Sequence, residues 1–150
     1  MTLTTLKKLV HPPAKIKTGT LKTWQKVERS LGLKLPRDYR EFIFSYGGGL
    51  FADFYLVFDP FSTDQYLNLT SRVQMNCQKL RELCESNGPD YIPYPIHPEK
   101  GGLLPWGNDE NGNEYYWLTE GPPTKWKVVQ DNVRGDGFYS HPFGMVEFLT

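Results

Sequence analysis

The side chains able to do acid–base, nucleophilic or metal chemistry are few and poorly grouped in this 150-residue sequence. Three histidines are present, His11, His97 and His141; each stands beside a proline, and none falls in a metal-spaced pair. H-E-x-x-H, C-x-x-C and zinc-finger spacings are missing. So are G-x-S-x-G, the Walker A loop and the dinucleotide fingerprint. Gly47-Gly48-Gly49 follows a helical pattern and precedes a strand, whereas a phosphate cradle needs strand before helix. The run reads as a helix stop with a tight turn. Cys77 and Cys84 are seven residues apart. On a helix that is about 10.5 Å of rise, beyond the roughly 4.4–6.8 Å between disulfide Cα atoms, so both are expected as reduced thiols.

The acids are more suggestive. Asp109-Glu110-Asn111-Gly112-Asn113-Glu114 invites a calcium reading, but an EF-hand loop needs glycine at its sixth position. Counted from Asp109, Gly112 falls fourth, so the segment reads as a hairpin turn. A hydrolase would need two singled-out carboxylates, and nothing singles out two here. No catalytic residue, metal or cofactor is therefore assigned. What remains is a surface: Asp109, Glu110 and Glu114 stand beside Tyr115, Tyr116 and Trp117. Acids interleaved with aromatics suit a basic protein partner, because charge selects the partner and rings anchor it. The candidate partner-binding residues are Asp109, Glu110, Glu114, Tyr115 and Trp117. The competing reading turns alternate rings into the core and leaves the acids solvated.

Charge is unevenly spread. Residues 1–40 carry ten Lys or Arg against two acids, and residues 41–150 carry seven against fifteen, so a +8 segment precedes a −8 body. The basic segment carries no nucleic-acid fold motif, so direct nucleic-acid binding is not expected. The length fits one domain, and aromatic residues make up 15% of the chain, so rings should fill much of the core. No apolar run approaches a membrane span and no secretory h-region follows Met1. A cytoplasmic protein is the expectation.

These residues must be positioned by a recognisable order of elements. Residues 1–19 are set apart as a basic N-terminal arm, either free, strapped down, or holding a short helix over 4–10. Leu21, Trp24, Val27 and Leu31 predict a helix between Thr20 as N-cap and Gly32 as stop. Pro36 is suited to the first position of a second helix, in which Tyr39, Phe42, Ile43 and Tyr46 recur at i, i+3, i+4, i+7. Leu50 to Phe58 reads as one strand and residues 67–86 as a third helix. The proline-rich stretch from Tyr91 to Pro98 is an edge strand or a loop. Leu103–Asp109 and Glu114–Leu118 form a hairpin in which Asn111-Gly112 would supply a type I′ turn. Trp126–Gln130 and Phe138–Ser140 are strands around a Gly135-Asp136-Gly137 turn, and Phe143 to Leu149 starts a closing helix. This order favours an α+β domain over residues 20–150, with an antiparallel sheet and helices packed on one side.

The segment from Trp24 to Phe42, with Glu28 before Leu31-Gly32 and then Leu35-Pro36-Arg37-Asp38-Tyr39, resembles the opening signature of the SUKH (Smi–Knr) superfamily. Leu103-Leu104-Pro105-Trp106-Gly107-Asn108-Asp109, followed by Asn-Gly and Glu114-Tyr115-Tyr116-Trp117, is similar to that family's central hairpin. The resemblance spans residues 20–150 and implies a curved antiparallel sheet and a non-catalytic protein-binding module. Bacterial members are typically immunity proteins that neutralise polymorphic toxins, often nucleases. Fungal relatives are intracellular scaffolds. On this footing the partner expected here is a basic toxin domain, with a scaffold of the same fold as the alternative.

Overall fold

In the computed structural model, residues 3–14, 19–132 and 137–150 are described. Five helices, α1 (Leu3–Leu9), α2 (Leu21–Leu31), α3 (Arg37–Tyr46), α4 (Leu69–Asn87) and α5 (Met145–Leu149), surround six strands. The strands are β1 (Gly49–Phe51), β2 (Tyr55–Val57), β3 (Leu103–Asp109), β4 (Glu114–Leu118), β5 (Lys127–Asn132) and β6 (Gly137–His141). They form one antiparallel sheet in chain order, β1 to β6, open at both edges. The class is α+β, as expected.

The helix boundaries follow local chemistry. Thr20 caps α2 through a reciprocal bond pair with Thr23, and Gly32 ends it at φ 75, a left-handed conformation that glycine adopts without steric penalty. Pro36 is the N-cap of α3, one position before the first helical residue. Asn68 caps α4 by accepting from Ser71 N–H.

Register decides which side chains are buried. β4 and β5 pair Trp117 with Val128 and Tyr116 with Val129. Because side chains alternate along a strand, Tyr115, Trp117 and Val128 share one face, and Glu114, Tyr116 and Val129 share the other. On the first face Tyr39 of α3 meets Trp117 edge-on at 5.0 Å, and Phe148 of α5 lies 5.2 Å from Tyr115. Trp24 of α2 joins this layer through Tyr39, 6.1 Å away. Against the second face runs α4. Its Cys77 Sγ is 3.8 Å from Leu103 O, and Lys79 reaches Glu114. Helices therefore lie on both sides rather than on one. The physical reason is that Leu103, Tyr116 and Val129 are all fully buried on this second face, which is too apolar to leave to water.

Two further expectations are corrected. The stretch Leu50 to Phe58 is not one strand but a hairpin, with Ala52 and Asp53 at φ 53 and 55 turning β1 into β2. The β3–β4 turn is not type I′: Gly112 is at φ 83 but Asn111 is not at positive φ, and Asp109 both donates to Asn113 O and accepts from Gly112 N–H. Of the alternatives left open for the N-terminal segment, its described part holds the short helix: α1 packs on α3 and α5 with Leu6 fully buried. Tyr91 to Pro98 is a loop tied to β3 by a single bridge, Ile96 to Leu103. In the expected Gly135-Asp136-Gly137 turn, residues 135 and 136 lie outside the described residues, and Gly137 opens β6.

Candidate functional site: an acidic rim at one end of the sheet

The signature segment serves the fold. Leu35 N–H donates to the Glu28 carboxylate at 2.6 Å, holding the α2–α3 connection. Asp38 accepts from Tyr39 N–H at 2.8 Å and from Val146 N–H at 3.2 Å, tying α3 to α5. Burial pushes the Asp38 carboxyl above its ordinary range, and those two backbone bonds pull against it. Tyr39 O–H donates to Phe58 O from a fully buried position. Glu28, Asp38 and Tyr39 thus spend their polar side-chain atoms on holding the fold together.

The hairpin end is arranged differently. Asp109, only 7% exposed, is the hub of the β3–β4 turn. Its carboxylate accepts from Asn111 N–H (2.9 Å), Asn113 N–H (3.1 Å), Asn113 Nδ2 (3.0 Å) and Tyr115 O–H (2.6 Å). Four donors fill the lone pairs of a carboxylate, so the buried charge is satisfied. Burial and the adjacent Asp109 raise the Tyr115 hydroxyl pKa well above its usual value. Glu110 projects from this turn and is exposed, while its N–H donates to Phe54 O at 3.1 Å. That bond joins the β3–β4 turn to the β1–β2 turn, whose tip carries exposed Asp53. Glu114 accepts from Tyr116 O–H at 2.8 Å and pairs with Lys79 at 3.5 Å, its own side chain 13% exposed. Directly across the sheet, Asp131 lies opposite Glu114. Burial first, then the Glu114 carboxylate, raise the Asp131 pKa, with Lys79 pulling the other way.

The structure thus gathers Asp53, Glu110, Glu114 and Asp131 along one rim, around the buried Asp109. Of the five residues singled out in the sequence, Glu110 is freely exposed and Glu114 partly so. Tyr115 and Trp117 are buried, at 2% and 0% exposure. These rings pack under α3 and α5 and hold the hairpin from inside instead of presenting surface. Asp53 and Asp131 were missed because neither is near the hairpin in sequence. The hairpin pattern at Ala52-Asp53 was hidden inside an aromatic run, and strand pairing alone brings Asp131 to Glu114.

Among the described residues no group of three or more His, Cys, Asp or Glu side chains is placed to hold a metal ion. No helix among them is long and apolar enough to cross a membrane. At the opposite end of the sheet lies a cleft of about 1010 Å³ lined by Lys34, Tyr94, His97, Leu118, Glu120 and Trp126 among others. His97, the one histidine in it, is half-buried and its pKa is lowered by that burial and by nearby Arg81. Cys77 and Cys84 are both free thiols.

Comparison with curated proteins and with solved structures returned no match. A family model, SUKH_6, described as SMI1-KNR4 cell-wall, matches residues 21–140. That range is most of the chain and holds both the Glu28–Tyr39 signature and the Asp109 hairpin, and the chain belongs to the SUKH (SMI1-KNR4) family.

Proposed function

We propose that this chain is a non-catalytic binding module acting as an immunity protein, which sequesters a basic toxin domain through the acidic rim. The carrying observation is the convergence of Asp53, Glu110, Glu114 and Asp131 at one end of the sheet, on turns cross-linked by the Glu110 N–H to Phe54 O bond. A rim of net negative charge, four carboxylates against Lys79, speeds encounter with an oppositely charged protein and disfavours other partners. A turn held by four bonds to Asp109 presents that charge with little further ordering to be lost on binding. Nucleases bind phosphate through basic surfaces, so a nuclease toxin fits the rim.

The test is co-expression with a toxin-like protein encoded beside this chain, scoring growth and co-purification. Rescue together with a stable complex is the expected result, and the complex should weaken when Asp53 is neutralised to asparagine and Glu110 reversed to lysine. Failure of both rescue and complex formation would remove the immunity reading. The scaffold reading is favoured by a separate observation, the cleft at the far end of the sheet, and would then be pursued by mapping binding to variants of Tyr94 and Trp126.

A further inference from the structure

The two edges of the sheet are unequally protected. β1 is three residues long and ends at the left-handed pair Ala52 and Asp53. A strand so short offers little to pair with, which is one way proteins guard an edge. β6, at the other edge, is five residues of Gly-Phe-Tyr-Ser-His and has no strand partner on its outer side among the described residues. It contains no Lys, Arg, Asp, Glu or Pro, so it lacks the charged side chains and proline that normally discourage edge pairing. Tyr139 at its centre is 44% exposed and Phe143 just beyond it 38% exposed.

We propose that β6 docks against β6 of a second copy, antiparallel about a two-fold axis at Tyr139, making one continuous sheet through both copies. The register is self-complementary. Tyr139 faces Tyr139 of the copy, Phe138 faces Ser140, and Gly137 faces His141, with no carboxylate or Lys/Arg side chain in any pair. A two-fold contact requires such a self-matching patch. Charge also selects a copy over another protein. The chain carries 17 basic and 17 acidic residues, so two copies do not repel as bodies. A basic partner is drawn to the acidic rim rather than to this neutral row. Antiparallel pairing sends the two rims to opposite ends of the joined sheet, leaving both open.

The experiment is sedimentation velocity on the purified full chain over a concentration series, with amide hydrogen exchange read at β6. The wild type is expected to shift from a 17.3 kDa monomer to a dimer as concentration rises, with exchange at β6 slowing in step. Tyr139→Lys puts two lysines opposite each other at the axis, which is destabilising. It is expected to raise the dimer dissociation constant by about tenfold or more, with an unchanged circular dichroism spectrum. Leu50→Lys, on the opposite edge strand, should leave the dimer intact. A wild type that stays monomeric up to about 1 mM would overturn the proposal. So would a dimer abolished by Leu50→Lys and kept by Tyr139→Lys, or protection of β6 that appears only when a different protein is added.

Discussion

The Tyr115 hydroxyl donates to Asp109 Oδ2 at 2.6 Å from a position 2% exposed, and this bond joins the first residue of the β3–β4 turn to the second residue of the returning strand. Hydrogen bonds to a charged acceptor contribute about 1.5–3 kcal/mol. Tyr115→Phe is expected to lower stability by an amount in that range, since the ring still packs against Trp106 and Phe148. Urea unfolding should show a lower midpoint at an unchanged m-value.

Gly48 is needed for space. A Cβ there would stand 2.2 Å from Asp59 Cβ and 2.8 Å from Asp59 Cα. The same glycine donates its N–H to Asp59 Oδ2 at 3.3 Å. Gly48→Ala must push apart the end of α3 and the loop after β2, an overpacking defect of about 1–3 kcal/mol. Thermal unfolding of the variant, compared with an alanine at exposed Gly32 position as a strain-only control (φ 75 with nothing within 4 Å), separates collision from conformation.

Asp131 carries a pH signature. Burial and the opposing Glu114 raise its pKa above the ordinary 3.8. A carboxyl raised in the folded state binds its proton more tightly there than when unfolded. Its penalty is therefore absent below the ordinary value and grows as pH rises through the folded value. Asp131→Asn is expected to raise the melting temperature at pH 7, and the difference from wild type should close as pH falls below 3.8. A constant gain across that window would assign the effect to packing.

The two thiols should differ in reactivity. Cys77 is 2% exposed and burial pushes its pKa up to about 11, so little thiolate forms at neutral pH. Cys84 is half-buried on the same helix. Alkylation of the native protein at pH 8, read by mass spectrometry, is expected to mark Cys84 first. Cys77 should react only on unfolding.

Changing the charge of the rim separates binding from folding. Asp53→Asn, which the left-handed backbone at φ 55 tolerates, and Glu110→Lys alter exposed turn residues, and surface changes of this kind stay within about 0.5 kcal/mol in stability. Association with a basic partner is expected to slow and to lose much of its salt dependence. Surface plasmon resonance at two ionic strengths reads both.

Much of this protein was legible in one dimension because local chemistry fixed it. Thr20 and Gly32 mark the ends of α2, the spacing of Tyr39, Phe42, Ile43 and Tyr46 marks the buried face of α3, and a turn at Asn111-Gly112 separates β3 from β4. Caps, helical periodicity and turns are interactions among residues a few positions apart, so the sequence alone determined most of the elements, the α+β class and the family, while the β1–β2 hairpin stayed hidden in Leu50–Phe58. The candidate surface was only half legible. Side chains in a strand alternate between faces, but which faces are covered depends on what docks from elsewhere in the chain. α3 and α5 cover Tyr115 and Trp117, and α4 covers Tyr116, so the two rings singled out as partner anchors lie inside, as does the ring between them that alternation alone would turn outward. Only tertiary structure brought Asp53 beside Glu110 and Asp131 opposite Glu114, because turn-to-turn bonding and strand register act between residues far apart in sequence.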